Sequence, residues 1–211
     1  MQFSTIAASI AFAATAVNAS PCVAPPPQPT PATPAPRPAC PAVSFSDTLT
    51  GSVKAQVYDI IPSDPERAST PTNKLNVYNI SNDVKQQAVV FRGLPETAYA
   101  CRLSWNLKWP RQQFAATKNT AIKLYGLTEI PDTFSASSVT PLVNVTESAA
   151  VGALKLGAEE KQESIGEAAG FPPCATELAY LASLNTEAGG EGALSMLQDQ
   201  DNGFSLYYNY C

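Results

Sequence analysis

The side chains that could support catalysis in this chain are mainly carboxylates, because its 211 residues include no histidine. Histidine is the usual general base near neutral pH, a member of Ser-His-Asp and Cys-His arrangements, and the commonest transition-metal ligand. The sequence therefore predicts no catalytic triad, no metal site and no bound cofactor. Glycoside hydrolysis stays open, since that reaction needs only two Asp or Glu residues at a suitable separation.

Asp199 and Asp201 form the most obvious local pair of carboxylates. They lie in the run Asp-Gln-Asp-Asn-Gly, directly before an alternating apolar segment. Asp and Asn in such a run commonly accept hydrogen bonds from their own backbone, so the run predicts a turn rather than an active site. A calcium loop is disfavoured, because the later bidentate glutamate is missing at the required spacing. The glycine-rich run 189–192 indicates a flexible connection and not a phosphate-binding loop.

Cysteines are the other group with evident chemistry. The chain has five of them: Cys22, Cys40, Cys101, Cys174 and Cys211. An oxidising compartment favours disulfides over free thiols or thiolate metal sites, and the odd number leaves one cysteine over. Cys22 and Cys40 could close the segment between them into a loop, or one of them could reach the following domain. A Cys174–Cys211 bridge is a further possibility, and the sequence does not rank these pairings.

The first nineteen residues have the features of a secretory signal peptide. Small and apolar residues run from Ile6 to Val17 and lead into Val17-Asn18-Ala19, a small-x-small cleavage pattern. The apolar run is shorter than the roughly 20 residues that span a bilayer. We therefore predict a signal peptide over 1–19, no membrane span, and a secreted, extracellular or cell-wall location. The polar-aromatic end of the chain argues against a glycolipid anchor.

Two acceptor sequences for N-linked glycans agree with export. They are Asn79-Ile80-Ser81 and Asn144-Val145-Thr146, and neither has a proline in the middle position. If both are used, Asn79 and Asn144 lie at the surface. The sequence thus predicts a glycoprotein with two candidate sites.

Residues 20–42 form a proline-rich segment. Ten of the nineteen prolines fall between Pro21 and Pro41, and Arg37 is the only charged residue there. Such a composition cannot bury a core and favours a disordered, extended polyproline II spacer. The segment is either a stalk or wall-embedding element, with Thr30 and Thr33 available for O-glycans, or a leader without a function of its own.

From residue 43 to 211 the composition is that of one globular domain. Apolar residues alternate with polar ones from Tyr99 to Trp109, with Tyr99, Cys101, Leu103, Trp105, Leu107 and Trp109 on the predicted buried side, and again from Phe204 to Tyr210. Further strands are predicted at Val53–Ile61, Leu75–Ile80, Gln87–Phe91, Ile122–Leu127, Val139–Val145 and Val151–Leu156, whereas Glu177–Leu184 fits a strand or a short helix. Many short strands without βαβ alternation predict an all-β, disulfide-stapled antiparallel β-sandwich.

Charge is distributed unevenly along the chain, whose net charge is −5. Basic residues dominate 85–123, and acidic residues dominate 147–201. Neighbouring strands that neutralise each other would explain this pattern. The alternative is a basic face of Arg102, Lys108 and Arg111 that holds an anionic glycan or an acidic partner, with Trp109 either stacking nearby or packed in the core. The acidic total and the predicted export disfavour nucleic acid as a partner.

Three motifs resemble the C-terminal domain of the fungal But2-like proteins. They are Cys101–Leu107, Phe171–Cys174, and a closing pattern of Leu194–Asp199 followed by Gly203–Tyr207 and Cys211, and together they cover roughly Val53 to Cys211. The resemblance implies a fungal, β-rich, often exported domain with no catalytic residues to carry over. The partner after which the family is named is intracellular, which does not fit a signal peptide.

These features together predict a non-enzymatic binding or structural module that is secreted or associated with the cell wall. Its expected contacts are cell-wall or anionic glycans, or a protein partner. A carboxylate-dependent glycoside hydrolase and a secreted effector that binds a host protein are the two alternatives.

Overall fold

The computed structural model of the chain describes residues 51–108, 115–118, 121–144, 150–155, 165–188 and 190–210, with backbone only at 150–155, 165–168 and 188. The predicted signal peptide, the proline-rich segment, Cys22, Cys40 and Cys211 lie outside these residues. The strands, in chain order, are Gly51–Lys54 (β1), Gln56–Ile60 (β2), Pro71–Thr72 (β3), Lys74–Ile80 (β4), Asp83–Arg92 (β5), Ala98–Leu107 (β6), Ala115–Lys118 (β7), Ala121–Gly126 (β8), Ala150–Lys155 (β9), Ile165–Gly170 (β10), Glu177–Leu184 (β11), Gly192–Leu197 (β12) and Gly203–Tyr210 (β13). A helix, α1, covers Ala136–Val139, and 3-10 turns cover Thr140–Leu142 and Thr186–Ala188.

Two antiparallel sheets organise these strands. The small sheet has the order β1-β13-β6-β10, and the large sheet has the order β7-β12-β4-β5-β11-β8-β9, with β2 paired to β5 and β3 paired to β2. Every strand pair within the described ranges is antiparallel. The predicted all-β antiparallel architecture is therefore confirmed.

The main core lies between the two sheets. Alternate side chains of β6 and β13, such as Leu103, Trp105 and Phe204, share one cluster of buried residues with Phe91 and Ile122 of the large sheet. Each of these side chains is at most 2% exposed. Because only one face of the small sheet joins this cluster, its strands alternate between apolar and polar residues, as the sequence predicted.

A second core covers the opposite face of the large sheet. Ala88 and Val90 of β5 contact this second cluster, whereas Val89 and Phe91 contact the main core. The same division applies along β11, so these strands are apolar on both faces. A strand buried on both faces loses its alternation. This explains why the pattern of Glu177–Leu184 fitted either a strand or a short helix. The strand is confirmed.

The predicted strand Val139–Val145 is wrong. The segment instead begins with α1, where the Ser135 side chain accepts a hydrogen bond from the Ser138 backbone N–H and the Ser138 hydroxyl accepts one from the Ser135 N–H. Ala136 and Val139, three residues apart, face the second core as helical neighbours. Pro141 then lies in the 3-10 turn that follows. The cap and the proline favour a helical end over an extended strand.

Other boundaries also differ from the prediction. Val53–Ile61 is divided at Ala55, so that β1 joins the small sheet and β2 joins the large one. Strands that change sheets in this way form the corners of a sandwich. Strands β10 and β12 were not predicted, and Gly192 begins β12 instead of lying in a flexible connection. Asp199–Asn202 is the predicted turn, and it joins β12 to β13.

A β-bulge in β6 changes which side of the strand faces the core. Opposite Tyr208, the register skips one residue between the pairs Arg102–Tyr207 and Tyr99–Asn209. Ala100 has φ +52 at this point, which few residues with a side chain adopt. The bulge turns both Ala98 and Cys101 into the core. Tyr99, which the alternation had placed on the buried side, therefore lies on the opposite face.

A disulfide joins Cys101 of β6 to Cys174 in the segment between β10 and β11. Because β10 belongs to the small sheet and β11 to the large one, the bond fixes the crossover between the sheets to a central strand. The predicted disulfide-stapled domain is confirmed by this bridge. The alternative Cys174–Cys211 pairing is wrong, since the Cys174 sulfur bonds to Cys101.

Removing this disulfide should destabilise the domain strongly. The bond spans 73 residues of sequence. Closing a loop of that size lowers the conformational entropy of the unfolded chain, which stabilises the folded state by about 4 kcal/mol. We expect the Cys101→Ala/Cys174→Ala variant to unfold at much lower urea concentration and with a steeper slope, because its unfolded chain is less restricted and exposes more surface. Urea titration followed by tryptophan fluorescence measures this change, and an unchanged midpoint would show that the bridge does not restrain the chain.

A buried glutamine occupies the point where the large sheet divides. Along one edge of β5, residues up to Lys85 pair with β4, and residues from Gln86 onward pair with β2. Gln87 lies at this fork and is completely buried. Its amide donates to Asp59 Oδ1 (2.7 Å) and to the Lys74 carbonyl (3.1 Å), and its oxygen accepts from the Asn76 N–H. The side chain thus replaces ladder hydrogen bonds that the diverging strands cannot make.

The Gln87→Leu variant should expose how much the fork depends on this side chain. Leucine would remove all three of these hydrogen bonds from the partly buried fork, at a cost of about 2 kcal/mol or more. Gln86→Leu is the matched control, because it makes the same exchange at a half-buried neighbour outside this hydrogen-bond group. Equal unfolding midpoints for the two variants would contradict the assigned role of Gln87.

Candidate functional site

The face of the small sheet that points away from the main core is the candidate site. Polar and aromatic side chains lie there because they occupy the positions between the inward residues of β1, β6 and β13. We call this set the outer face, and its members are Ser52, Lys54, Tyr99, Arg102, Ser104, Asn106, Ser205, Tyr207 and Asn209. The strands pair directly, so these residues form one continuous surface.

Tyr207 organises the middle of the outer face. Its backbone pairs with Arg102, while its hydroxyl accepts a hydrogen bond from the Asn106 amide (3.1 Å), which also lies 3.4 Å from the Ser205 hydroxyl. The ring of Tyr207 therefore extends along the sheet surface towards Asn106. Ser104 and Ser205 lie along this path and are only 4% and 0% exposed. The Arg102 guanidinium carbon lies 5.5 Å from the ring centroid, within the range of a cation–π contact.

The two cations of the outer face have few compensating contacts. Within the described part of the chain, neither Lys54 nor Arg102 forms an ion pair. Arg102 Nε is buried and has no hydrogen-bond partner among the residues that the structure describes. Burial lowers the pKa of Lys54 below its usual value, and the charges of Asp199 and Asp201 oppose that effect only in part. The outer face thus holds two partly desolvated positive charges.

The residues of the predicted basic face do not all lie in this region. Arg102 is central to the outer face. Lys108 follows the end of β6, where its ammonium forms an ion pair with Asp201 (2.9 Å) and its N–H donates to Asn202 Oδ1 (2.8 Å). Trp109 and Arg111 lie outside the described residues. The basic face of Arg102, Lys108 and Arg111 therefore stays a prediction. The charge of Lys108 is already neutralised by Asp201.

Ion pairs connect the basic and acidic parts of the sequence. Four pairs join the basic region to the acidic one: Arg92–Glu177, Lys108–Asp201, Lys118–Glu191 and Lys123–Glu187. Glu177 lies directly opposite Arg92 in the ladder between β5 and β11. In a fifth pair, Lys85 contacts Asp59 at 2.8 Å. The segmental charge pattern is thus largely explained by neutralisation between neighbouring elements.

The carboxylate of Asp199 stabilises the turn between β12 and β13, whereas the carboxylate of Asp201 pairs with Lys108. Asp199 Oδ1 accepts hydrogen bonds from the N–H groups of Asp201 (2.9 Å) and Asn202 (2.8 Å) and from the Asn202 side chain (3.0 Å). This geometry confirms the predicted turn. Gly203 closes it with φ +89, and a side chain there would collide with Gln198. Within the described residues, no group of three or more Cys, Asp or Glu side chains could hold a metal ion.

A shallow pocket lies apart from the outer face, at the loop that precedes β4. Its volume is about 190 Å³, and its lining includes Asp59, Arg67, Ser69 and Thr72. Asp59 is the single carboxylate of that lining, and it is already paired with Lys85. The pocket therefore lacks the pair of acids that glycoside hydrolysis requires.

Sequence reasoning missed several residues of the outer face. Lys54 and Asn106 lacked a distinctive motif, and Tyr207 was read only as a strand residue. Tyr99 was assigned to the wrong side because the bulge at Ala100 is not visible in the alternation. Phe171, the first residue after β10, is 73% exposed, and it follows Gly170, which pairs with Leu103. The register therefore places this exposed aromatic residue beside β6, near Arg102.

The two predicted glycan acceptors lie at different kinds of position. Asn79 is partly exposed near the end of β4, just before the Ser81-Asn82 hairpin turn, whose residues have φ +50 and +69. Asn144 is exposed, and its N–H donates to the Gly126 carbonyl (3.1 Å). Thr146 of the second sequon lies outside the described residues. Glycosylation at both sites stays a prediction.

A scan against models of known protein families and a search of curated proteins both found no match to the chain. The resemblance to the But2-like family therefore stays a prediction from its motifs. Among the helices that the structure describes, none has the length and apolar character needed to cross a membrane.

The turn at Asp199 should make part of the stability dependent on pH. Partial burial raises the pKa of Asp199, but the hydrogen bonds from Asn202 and Asp201 and the Lys54 charge outweigh it, so the pKa is lowered. A depressed folded-state pKa stabilises the protein above the ordinary pKa, and this contribution is lost as the pH falls through the folded value.

We expect Asp199→Ala to destabilise the domain by about 1 kcal/mol at pH 7 and by much less in strong acid. Urea unfolding midpoints at both pH values measure this difference. Asp132→Ala, at an exposed position, is the control and should have little effect at either pH. A pH-independent loss in Asp199→Ala would contradict the proposed role of the carboxylate charge.

Proposed function

We propose that this chain is a secreted or cell-wall-associated, non-enzymatic binding module of a fungus, and that its outer face contacts an extracellular polysaccharide. The observation that carries the proposal is the Tyr207 arrangement, in which a tyrosine ring is held along a sheet surface by Asn106 and Arg102. A fixed aromatic ring needs little further ordering when a ligand binds.

The chemistry of the outer face suits a sugar chain. Aromatic rings offer an apolar surface for the C–H face of a sugar, and their hydroxyls offer a polar edge. Asn106, Asn209 and Arg102 supply amide and guanidinium groups that can bond sugar hydroxyls. A sheet surface has no closed end, so it accommodates an extended polymer better than a small molecule. These properties support a polysaccharide as the ligand.

Two alternatives have less support. A hydrolase needs two acids across a cleft, but the outer face has no carboxylate among its members, and Asp199 and Asp201 are engaged in the adjacent turn. An effector that docks on a host protein needs a contiguous exposed apolar patch. Of the large exposed apolar residues in the described chain, Ile80 ends β4 of the large sheet, whereas Phe171 follows β10 and Tyr210 ends β13, on opposite sides of β6 in the small sheet.

Export is part of the proposal. The signal-peptide pattern over 1–19, the proline-rich spacer and the two sequons support it. The Cys101–Cys174 disulfide is compatible with an oxidising extracellular environment.

Replacing Tyr207 tests the proposed function. We expect the secreted protein to be retained on at least one wall polysaccharide in affinity electrophoresis, and Tyr207→Ala to weaken that retention about tenfold, as when an aromatic anchor is lost from a binding surface. Tyr78→Ala is the matched control, because Tyr78 is a partly exposed tyrosine of β4 in the large sheet. Failure of the wild-type protein to bind any polysaccharide in a panel of chitin, β-glucan, mannan and pectin would contradict the proposal.

A further inference from the structure

Lys54 and Arg102 lie on opposite sides of β13. Lys54 of β1 pairs with Ser205, and Arg102 of β6 pairs with Tyr207. The two Cα atoms are therefore separated by two strand spacings across the sheet and two residues along it, or about 12 Å. Tyr207 belongs to β13, the strand between β1 and β6. This arrangement presents two positive charges on either side of an aromatic surface.

The acids whose charges act on Lys54, namely Asp199 and Asp201, also have other partners. Asp201 forms its ion pair with Lys108, and Asp199 accepts three hydrogen bonds within its turn. Among the described residues, the other ion pairs of the molecule neutralise cations outside the outer face. Lys54 and Arg102 thus remain as positive charges that the described protein does not compensate with an ion pair.

Partial burial makes this lack of compensation costly. Desolvation lowers the pKa of Lys54, and Arg102 Nε is shielded from solvent without a hydrogen bond to any described residue. An anion bound nearby would favour the charged form of Lys54 and would supply an acceptor beside Arg102. A guanidinium is also matched in geometry to a planar carboxylate.

From this geometry we propose that the outer face is selective for an acidic polysaccharide that bears carboxylates, with Arg102 and Lys54 contacting two carboxylates of the chain on either side of Tyr207. The inference rests on the proposed function and specifies the ligand class. Charge complementarity favours this ligand class, because a neutral sugar chain would bring no negative charge to offset the burial of Lys54 and of Arg102 Nε.

Polygalacturonate and its fully methyl-esterified form provide the test, since they share a backbone and differ in charge. We expect the secreted full chain to bind polygalacturonate about tenfold or more tightly than the ester in isothermal titration calorimetry. Added salt should weaken binding to polygalacturonate, because it screens exposed charges. This comparison uses the wild-type protein and does not depend on the folding of any variant.

A pair of double variants then assigns the charges. Lys54→Gln/Arg102→Gln should lose about tenfold in affinity for polygalacturonate, and Lys54→Arg/Arg102→Lys should retain most of it. Arg67→Gln/Lys74→Gln is the matched control, because it removes the same charge from two exposed cations outside the outer face that also lack ion pairs in the described chain. Equal thermal midpoints establish that the variants compared are folded.

The outcomes separate the inference from the proposed function. Equal affinity for polygalacturonate and its ester would overturn the inference, and if Tyr207→Ala still weakened that binding, the proposed function would stand. An equal loss in Lys54→Gln/Arg102→Gln and in the control pair would also overturn the inference, because the charge effect would then be nonspecific. Absence of binding to every polysaccharide would overturn both.

Discussion

The packing of one face of the small sheet against the large sheet is the constraint on which the rest of the structure depends. Burial of Leu103, Trp105, Phe204 and Leu206 in the main core fixes which side chains of β6 and β13 point outward. Burying such side chains contributes on the order of 2 kcal/mol each, whereas a shift in register by one residue would bury the polar set instead. The outer face is thus a consequence of core packing.

Alternation revealed most of this arrangement, but it did not reveal the bulge. The period of two from Tyr99 to Trp109 and from Phe204 to Tyr210 predicted two strands with one buried face, and the described parts of both are confirmed. A bulge adds one residue without changing composition, so the sequence could not show that Ala100 moves Tyr99 to the outer face and leaves Cys101 inward. The cysteine partner was equally hidden, because it depends on which strand the crossover approaches.

The remaining open or wrong assignments arise where both faces of an element are buried, or where a helix cap and a proline determine the local structure. β11 is apolar on both faces, so periodicity could not separate strand from helix. The apolar content of Val139–Val145 suggested a strand, although its contacts with the second core are made through a capped helical turn. Lys54 carries no motif, and only the pairing of β1 with β13 places it beside Ser205.

The account of function depends on whether a ligand contacts the side chains of the outer face. Nuclear magnetic resonance of the secreted protein, titrated with polygalacturonate oligomers, tests this most directly through the ring signals of Tyr99 and Tyr207 and the Nε–H signal of Arg102. The account predicts that these signals shift together and saturate, while the ring signals of Tyr78 and Tyr125 in the large sheet do not move. Shifts confined to the large sheet, or to the loop around Arg67, would contradict it.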